Sequence, residues 1–199
     1  INEKIYKYGF GQKTYIDLYN ESKGLVPSRD WKYKMKQQPW FPGETLNVGI
    51  GQGYFLATPL QLTLATSTLA TAGKTYIPHI LKKIRDSKTD TVDLYDYQNN
   101  KFITSYPNLN YLDIVHHAMW RVTNERGVGT ASQMKKISNI EIAGKTGTAQ
   151  VYSLDKGKTD KKNLQDHALF ISYAPFENPE IVVTVIVEHG GGGSSVAAP

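Results

Sequence analysis

The sequence predicts an α+β fold in which helices cover a mainly antiparallel sheet. Two strand-like runs, His167–Ala174 and Ile181–Val187, are joined by the short segment Pro175–Pro179. Strands joined by so short a turn run antiparallel. Two helical patterns come earlier in the chain, one opening at Pro59 and one at Asn110. Helices and antiparallel strands that occupy separate parts of a chain are typical of the α+β class.

The opening of the chain is predicted to contain one short helix and a long loop. Residues 1–8 have helical character, and Gly9 and Gly11 favour its end. Residues 14–19 are predicted as a short extended segment. Residues 20–43, rich in Lys, Gln, Trp and Pro, are predicted as a single loop. Loops of that length are often functional.

The clearest helix signal lies between residues 58 and 73. Thr58 suits the N-cap, Pro59 suits the first helical position, and Gly73 marks the end. Residues 75–84 then favour a strand. Residues 91–104 favour either a second strand or one arm of a hairpin.

The second half of the chain opens with a helix at Asn110 that ends before Gly127. Its predicted apolar side consists of Leu112, Val115, Met119 and Val122. Residues 140–152 favour a strand around a Gly-Thr-Gly core, and a charged connector, 155–162, follows. The run Ile181–Val187 is almost entirely β-branched, which predicts a strand covered on both faces.

The composition limits the classes of function. Lys and Arg number 23 against 18 Asp and Glu, so the net charge is +5, and the basic residues are scattered. This pattern does not favour a nucleic acid partner, although an anionic substrate fits it. There is no cysteine, which excludes disulfides, thiolate catalysis and Cys-ligated zinc. The five histidines are poorly spaced for a zinc site, so none is expected.

The segment Ala143–Gln150, which reads Ala-Gly-Lys-Thr-Gly-Thr-Ala-Gln, contains two overlapping motifs. Gly-Lys-Thr is part of the phosphate-binding P-loop, but that loop needs a glycine where Asn139 stands and a helix immediately afterwards. Gly147 and strand-like residues follow instead. We therefore favour the second motif, Lys-Thr-Gly, on a strand that borders an active site.

The chemistry of this second motif fits peptide binding. Lys145 supplies a positive charge for a substrate carboxylate, and Thr146 and Thr148 supply hydroxyl groups. Gly147 lets a peptide lie close to the strand. An edge strand pairs with an extended peptide through its free backbone groups, and the N–H of Thr148 is a candidate donor to an oxyanion. The alternative is a glycine-softened strand with a solvated lysine.

Further motifs support the peptide-binding interpretation. Residues 48–61 contain Gly-Ile-Gly-Gln-Gly and Thr-Pro-Leu-Gln, and residues 127–131 read Gly-Val-Gly-Thr-Ala. With Lys-Thr-Gly, this combination resembles the class B penicillin-binding proteins, which are peptidoglycan D,D-transpeptidases. Their cell-elongation member is resembled by further stretches, which are Trp31 through Pro39-Trp40 and Gly43-Glu-Thr45, Phe170–Pro175 and Glu188–Gly190. The resemblance covers essentially all of residues 1–199 in order. It implies a partial penicillin-binding/β-lactamase-like transpeptidase fold, with residues 190–193 as a Gly-rich turn before a helix near residues 197–199. The same run without this context would also suit an engineered linker.

The family uses three motifs, and only Lys-Thr-Gly stands in its expected place. Two Ser-x-x-Lys matches, at Ser132 and Ser153, lie too near that motif or beyond it, and no Ser-x-Asn occurs. We therefore expect residues 1–199 to be the C-terminal portion of a single transpeptidase domain. The nucleophile half, the pedestal and the membrane anchor would lie upstream, or on a second chain. This fragment alone is expected to be inactive.

The resemblance implies a serine acyl-enzyme mechanism in cell-wall cross-linking during elongation, with no metal or organic cofactor. Lys145 and Thr148 would be catalytic, and residues 145–148 (Lys145, Thr146, Gly147 and Thr148) would bind substrate. The implied partners are D-Ala-D-Ala stem peptides, β-lactam antibiotics, the rest of the domain and membrane proteins of the elongation complex, at the periplasmic face of the bacterial inner membrane. The alternatives are a D,D-carboxypeptidase or β-lactamase of the same fold, or a non-catalytic β-lactam or peptide sensor.

Two residues near the motifs have weaker assignments. Gln52, inside Gly-Gln-Gly, is predicted to stabilise a turn rather than to act in catalysis, because the flanking glycines suit tight backbone geometry. Tyr152 lies just beyond the Lys-Thr-Gly strand. It either lines the cleft or packs as an ordinary strand tyrosine.

Overall fold

The computed structural model describes residues 2–94, 101–103, 110–134, 139–151 and 165–199. The helices are α1 (Asn2–Lys7), α2 (Arg29–Lys36), α3 (Pro42–Gly49), α4 (Pro59–Ala70) and α5 (Asn110–Asn124). The strands are β1 (Lys74–Tyr76), β2 (Lys83–Arg85), β3 (Val92–Leu94), β4 (Lys101–Ile103), β5 (Ala143–Ala149), β6 (His167–Ala174) and β7 (Ile181–Val187). A π-helical turn, Gly193–Ala197, follows β7. The α+β class predicted from the sequence is confirmed.

A three-stranded antiparallel sheet, in the order β5–β6–β7, is the largest sheet of the described residues. Its register places Lys145 beside Ile171, and Ile171 beside Thr184. Strands β6 and β7 have the bounds that the sequence predicts. The antiparallel pairing follows from the tight connection between them, as expected.

Apolar residues cover both faces of this sheet, because strand side chains alternate between the faces. On one face Tyr173 and Ala143 pack with Ala70 of α4 and Met119 of α5. On the other face the core cluster consists of Ala131, Ala168, Phe170, Ala197 and Ala198. Full burial of an aromatic side chain such as that of Phe170 contributes roughly 1.5–3 kcal/mol. The sheet is thereby held between α4 and α5 on one side and the turn after β7 on the other.

Helix α4 begins as the sequence predicts. The Thr58 hydroxyl accepts from the N–H of Gln61 at 3.1 Å, and the Gln61 side chain accepts from the N–H of Thr58 at 3.0 Å. This reciprocal capping box satisfies two N–H groups that would otherwise be left unpaired. A hydroxyl bond of 2.9 Å between Thr63 and Thr184 joins the helix to β7. The predicted α1 is also present, and Gly9 and Gly11 follow it with φ of 89° and 73°.

The prediction of one loop over residues 20–43 is wrong, because this segment contains α2 and the beginning of α3. The Ser28 hydroxyl caps α2 by accepting from the N–H of Trp31. Pro42 is the first residue of α3, and proline is accepted there because the first helical N–H has no partner inside the helix. The prolines that contributed to the loop prediction therefore include one that begins a helix.

The predicted strand over residues 75–84 is also wrong in its extent. Two three-residue strands occupy that region, and they belong to different pairs: β1 pairs with β4, and β2 pairs with β3. Pro78 lies between them and has no N–H for a sheet hydrogen bond. For residues 91–104, the hairpin alternative is the correct one, since β3 and β4 both pair with earlier strands.

Residues 14–19 do not form a strand. The Glu21 carboxylate accepts from the N–H groups of Thr14 and Tyr15 at 2.7 and 3.1 Å. Tyr15 has a φ of 62°, which lies in the left-handed region that strands do not use. An acidic side chain two residues beyond the segment thus takes the backbone groups that a strand partner would need.

Two predicted apolar faces are only partly buried. Val115 of α5 is 39% exposed, and His116 occupies the buried side instead, with Nε2 2.7 Å from the Leu69 carbonyl oxygen. On β7, Ile181 and Val183 are 63% and 46% exposed, so the prediction that both faces are covered fails for the first residues of this strand. The helix expected near residues 197–199 is a π-helical turn that begins earlier, at Gly193.

Several sequence predictions fall outside the described residues. They concern the connector 155–162, Tyr152, Ser153 and the lysine of the Ser132 motif. Among the described residues, none of the helices has the length and apolar character that crossing a bilayer requires.

Candidate functional site

Strand β5 contains the Lys-Thr-Gly motif and lies at an edge of its sheet. It pairs with β6 along its whole length, from Ala143 beside Tyr173 to Ala149 beside His167. Within the described residues no strand pairs with its other side. The expectation that the motif lies on an edge strand is therefore met in the part of the chain that the structure describes.

Helix α5 fixes the beginning of β5. Its residues Thr123 and Asn124 both donate side-chain hydrogen bonds to the carbonyl oxygen of Ile142, and the Asn124 bond is 2.8 Å long. Ile142 is the residue immediately before the strand. The helix thus sets where β5 starts, and pairing with β6 sets its direction.

The four predicted site residues share β5 but not one face. Alternation places Thr146 and Thr148 on one face, and Lys145 and Gly147 on the other. Lys145 and Thr148 are exposed, and Thr146 and Gly147 are half-buried. The lysine and the two hydroxyls can therefore act together only at the edge of the strand.

The free edge can be identified from a hydrogen bond. The Thr148 carbonyl oxygen accepts from the side chain of Gln52 and so points away from β6. In an antiparallel pair the N–H and C=O of one residue point to the same side, and alternate residues repeat that direction. The backbone groups of Thr146 and Thr148 therefore point to the open edge. The Lys145 ammonium donates to the Thr146 carbonyl, which places its charge at that edge as well.

Thr130 is a site neighbour that the sequence analysis did not single out. Its hydroxyl lies 2.9 Å from the Thr146 hydroxyl. The turn after α5 holds it there, because the N–H of Gly129 donates to Glu125 and the N–H of Ala131 donates to Val122. The Gly-Val-Gly-Thr-Ala pattern was noticed, but its spacing gives no sign that the hydroxyl reaches β5.

Gln52 reaches β5 from a distant part of the chain. Its Nε2 donates to the Thr148 carbonyl at 2.9 Å, and its Oε1 accepts from the N–H of Gln150 at 3.4 Å. The predicted turn is present, since the N–H of Gln52 donates to the Asn47 carbonyl. The role of the side chain was missed, because nothing in the sequence links two segments almost a hundred residues apart.

An ion pair joins Arg121 of α5 to Glu125, the residue that directly follows the helix. Arg121 donates to the Glu125 carboxylate, and this hydrogen bond lowers the pKa of Glu125 and raises the pKa of Arg121. Both groups stay ionised at neutral pH, and their opposite charges compensate each other.

The described residues contain no cluster of three metal-ligating side chains. Ser132 lies in the turn after α5, where its N–H donates to the Gly129 carbonyl.

The sequence matches the penicillin-binding protein transpeptidase domain family over residues 1–199. It is 40% identical to the peptidoglycan D,D-transpeptidase MrdA of Haemophilus influenzae over 96% of this chain and 30% of that protein. It is 35% identical to the protein of the same name from Escherichia coli K12, over 98% of this chain and 31% of that protein. The chain therefore spans about a third of the length of these relatives.

Solved structures give the same result. The fold is similar to Pseudomonas aeruginosa PBP2 in complex with WCK 5153, with a TM-score of 0.79 and 41% identity, over 98% of this chain and 40% of that one. It is also similar to PBP2 in a complex between that protein and MreC from Helicobacter pylori, with a TM-score of 0.76 and 36% identity, over 98% of this chain and 33% of that one.

These matches define the class of protein: the chain belongs to the penicillin-binding protein transpeptidase family. Within that family, the relatives described above are of the PBP2, or MrdA, type. The resemblance to class B penicillin-binding proteins is thereby confirmed, as is the greater similarity to penicillin-binding protein 2.

Proposed function

We propose that this chain is the C-terminal portion of a peptidoglycan D,D-transpeptidase that cross-links the cell wall during elongation. The observation that carries the proposal is the open edge of β5, where the Lys145 ammonium and the backbone of Thr146 and Thr148 point the same way. The MrdA relatives, which are named peptidoglycan D,D-transpeptidases, support the reaction class. The nucleophilic serine and its lysine base lie upstream of residue 1, or on a second chain.

In the proposed mechanism the stem peptide lies along the edge of β5. Lys145 and the hydroxyls of Thr146 and Thr148 bind the terminal carboxylate of D-Ala-D-Ala. Because Gly147 has no side chain, the peptide can approach the strand closely. The serine oxygen attacks the carbonyl carbon of the penultimate D-Ala, and its proton passes to the base. The N–H of Thr148 donates to the oxygen on which negative charge develops.

The tetrahedral intermediate then collapses with cleavage of the C–N bond. The leaving D-Ala takes a proton on nitrogen, and an ester joins the serine to the donor peptide. The amine of a second stem peptide attacks that ester and releases the serine. The new amide bond between the two peptides is the cross-link. β-Lactams follow the first step only, because their ring opens without losing a fragment and the ester persists.

The location and partners are part of the same proposal. The complete enzyme acts at the periplasmic face of the bacterial inner membrane. Its ligands are D-Ala-D-Ala stem peptides and β-lactam antibiotics, and membrane proteins of the elongation complex hold it in place. The complex of Helicobacter pylori PBP2 with MreC supports a partner of that kind.

Covalent labelling by a fluorescent penicillin tests the proposal. We expect the longer protein that contains this chain to be labelled and the isolated 199-residue chain to stay unlabelled. Lys145→Ala in the longer protein should slow acylation about 100-fold or more, since it removes a charge that binds the carboxylate. Its melting temperature should not change, because Lys145 is exposed.

Lys36→Ala is the matched control, because Lys36 is an exposed lysine of α2 and lies in a different element. It should be acylated at the rate of the unaltered protein. Labelling of the isolated chain, or an unchanged rate for Lys145→Ala, would contradict the proposal. Rapid hydrolysis of the ester would point instead to the β-lactamase alternative.

A further inference from the structure

The end of β5 is held by a side chain as well as by its neighbouring strand. The ladder between β5 and β6 ends where Ala149 lies beside His167. Gln52 continues from there on the opposite edge, with one bond to the Thr148 carbonyl and one from the N–H of Gln150. A single amide thus binds the two backbone groups on either side of Ala149, namely the Thr148 carbonyl and the Gln150 N–H.

This arrangement reproduces what a strand partner would do. A paired strand offers one N–H and one C=O to residues i and i+2 of its neighbour, and the Gln52 amide offers one NH₂ and one C=O to Thr148 and Gln150. Because the Thr148 carbonyl is fixed, the N–H of the same residue is fixed toward the free edge. That N–H is the candidate oxyanion donor.

The loop that carries Gln52 is itself anchored. The N–H of Gln52 donates to the Asn47 carbonyl at 2.8 Å. The glycines on either side, Gly51 and Gly53, both have a φ of 75°, in the left-handed region where other residues are strained. The ring of Tyr54 packs against Trp31 of α2, with ring centroids 5.2 Å apart. The Gln52 amide therefore reaches β5 from a loop whose backbone conformation is fixed by these contacts.

We infer that Gln52 is a positioning residue for the acylation step: it fixes the backbone of β5 so that the N–H of Thr148 is directed at the developing oxyanion. The inference rests on the proposed function, because it deepens the role of the same edge. Gln52 itself does not touch the reacting atoms. It acts through Thr148, so its effect belongs to the rate of acylation and not to the binding of the carboxylate.

Stopped-flow acylation of the longer protein by a chromogenic β-lactam separates these two quantities. Gln52→Leu keeps the approximate size of the side chain and removes both hydrogen bonds. We expect the acylation rate constant to fall about 10-fold, since each bond contributes modestly and together they orient one oxyanion donor. The dissociation constant of the non-covalent complex should stay within about 2-fold of the unaltered value.

Gln52→Glu separates hydrogen-bond donation from size and polarity. The carboxylate accepts from the N–H of Gln150 but turns an acceptor toward the Thr148 carbonyl, so its acylation should be no faster than that of Gln52→Leu. In both variants the ester carbonyl of the acyl-enzyme should absorb at a higher infrared frequency, because it is less polarised. Gln38→Leu, which changes an exposed glutamine between α2 and α3, is the control and should show none of these changes.

The outcomes distinguish the inference from the proposed function. Acylation of the unaltered protein that depends on Lys145, together with an unchanged rate constant in Gln52→Leu, would overturn the inference alone. A loss confined to the dissociation constant would overturn it as well. Absence of acylation in the unaltered protein would overturn the proposed function. Should Gln52→Leu prove unstable, the rate and infrared readouts of Gln52→Glu decide the same question.

Discussion

At the residue scale, the two glycines of β5 have different reasons to be glycine. A Cβ on Gly144 would lie 2.6 Å from a ring carbon of Phe170 and 2.9 Å from the Ile171 carbonyl oxygen. A Cβ on Gly147 would meet its nearest neighbour, the Cβ of Leu169, at 3.4 Å, which is ordinary contact. Of these two positions, packing inside the described residues therefore requires glycine only at 144, and for Gly147 the proposed function supplies the reason, which is space for a substrate.

This difference predicts opposite results for two alanine variants of the longer protein. Gly144→Ala should lower the free energy of unfolding by about 1–3 kcal/mol, as overpacking of a core does. Gly147→Ala should leave the unfolding midpoint nearly unchanged and slow acylation by at least about 10-fold, because a displaced peptide reacts slowly. Urea unfolding and penicillin labelling measure the two effects. A normal acylation rate in Gly147→Ala would contradict the proposal that the substrate lies against this residue.

A second residue-scale feature is the hydroxyl of Tyr173. The side chain is fully buried, its hydroxyl has no hydrogen-bond partner among the described residues, and burial raises its pKa to about 12. The protonated form is favoured by the fold. The free energy of unfolding is therefore independent of the ionisation of Tyr173 below pH 10, the ordinary pKa, and falls as the pH rises from 10 to 12, because the unfolded chain loses this proton more easily.

Tyr173→Phe should therefore stabilise the longer protein by about 1 kcal/mol at pH 7.5, since a buried group without a partner is costly. Between pH 10 and 12 its unfolding midpoint in urea should fall less steeply than that of the unaltered protein. Tyr33→Phe, at a tyrosine that is 66% exposed, should change neither quantity. A destabilised Tyr173→Phe would show that the hydroxyl has a partner in the complete protein.

At the scale of elements, what could be predicted from the sequence depended on how local the signal is. Some features depend only on residues that are adjacent in the chain, and their predictions are confirmed. They are the capping box at Thr58, the end of α1 at Gly9 and the bounds of β6 and β7. The edge position of β5 was also expected, because the resemblance and the peptide-binding chemistry both require it.

Elements held by distant contacts were not found. Helices α2 and α3 are joined by an ion pair between Lys32 and Glu44, and the Lys32 ammonium also lies 4.1 Å from the centroid of the Phe41 ring. This pair lowers the pKa of Glu44, whose carboxylate also accepts from the N–H of Phe41 at 2.8 Å. A polar segment that contains a lysine has the composition of a loop, so the sequence gives no sign that Lys32 is buried. Its burial depends on Glu44, which lies twelve residues later in the chain.

The candidate site divides in the same way. Lys145, Thr146, Gly147 and Thr148 are one contiguous motif and were named from the sequence. Thr130 and Gln52 come from separate segments, and each reaches β5 through a single side chain. Their contacts depend on how the turn after α5 and the loop before α4 pack against the sheet. Spacing along the chain carries no information about that packing.

At the scale of the whole molecule, the described residues form a sheet that is packed on both faces and has a free edge at β5. Helix α5 fixes the start of this strand, β6 fixes its length, and Gln52 fixes its end. Because its start, its length and its end are all fixed, the free edge of β5 is held in one conformation. In the proposed function this edge orients a peptide for attack by a group from elsewhere in the protein.

The most direct test of this account is a crystal structure of the longer protein acylated by a penicillin. We expect the antibiotic to lie along the edge of β5, with its carboxylate within hydrogen-bond distance of the Thr146 and Thr148 hydroxyls. The ester carbonyl oxygen should accept from the N–H of Thr148. An acyl-enzyme whose antibiotic makes no contact with residues 145–148 would contradict the account.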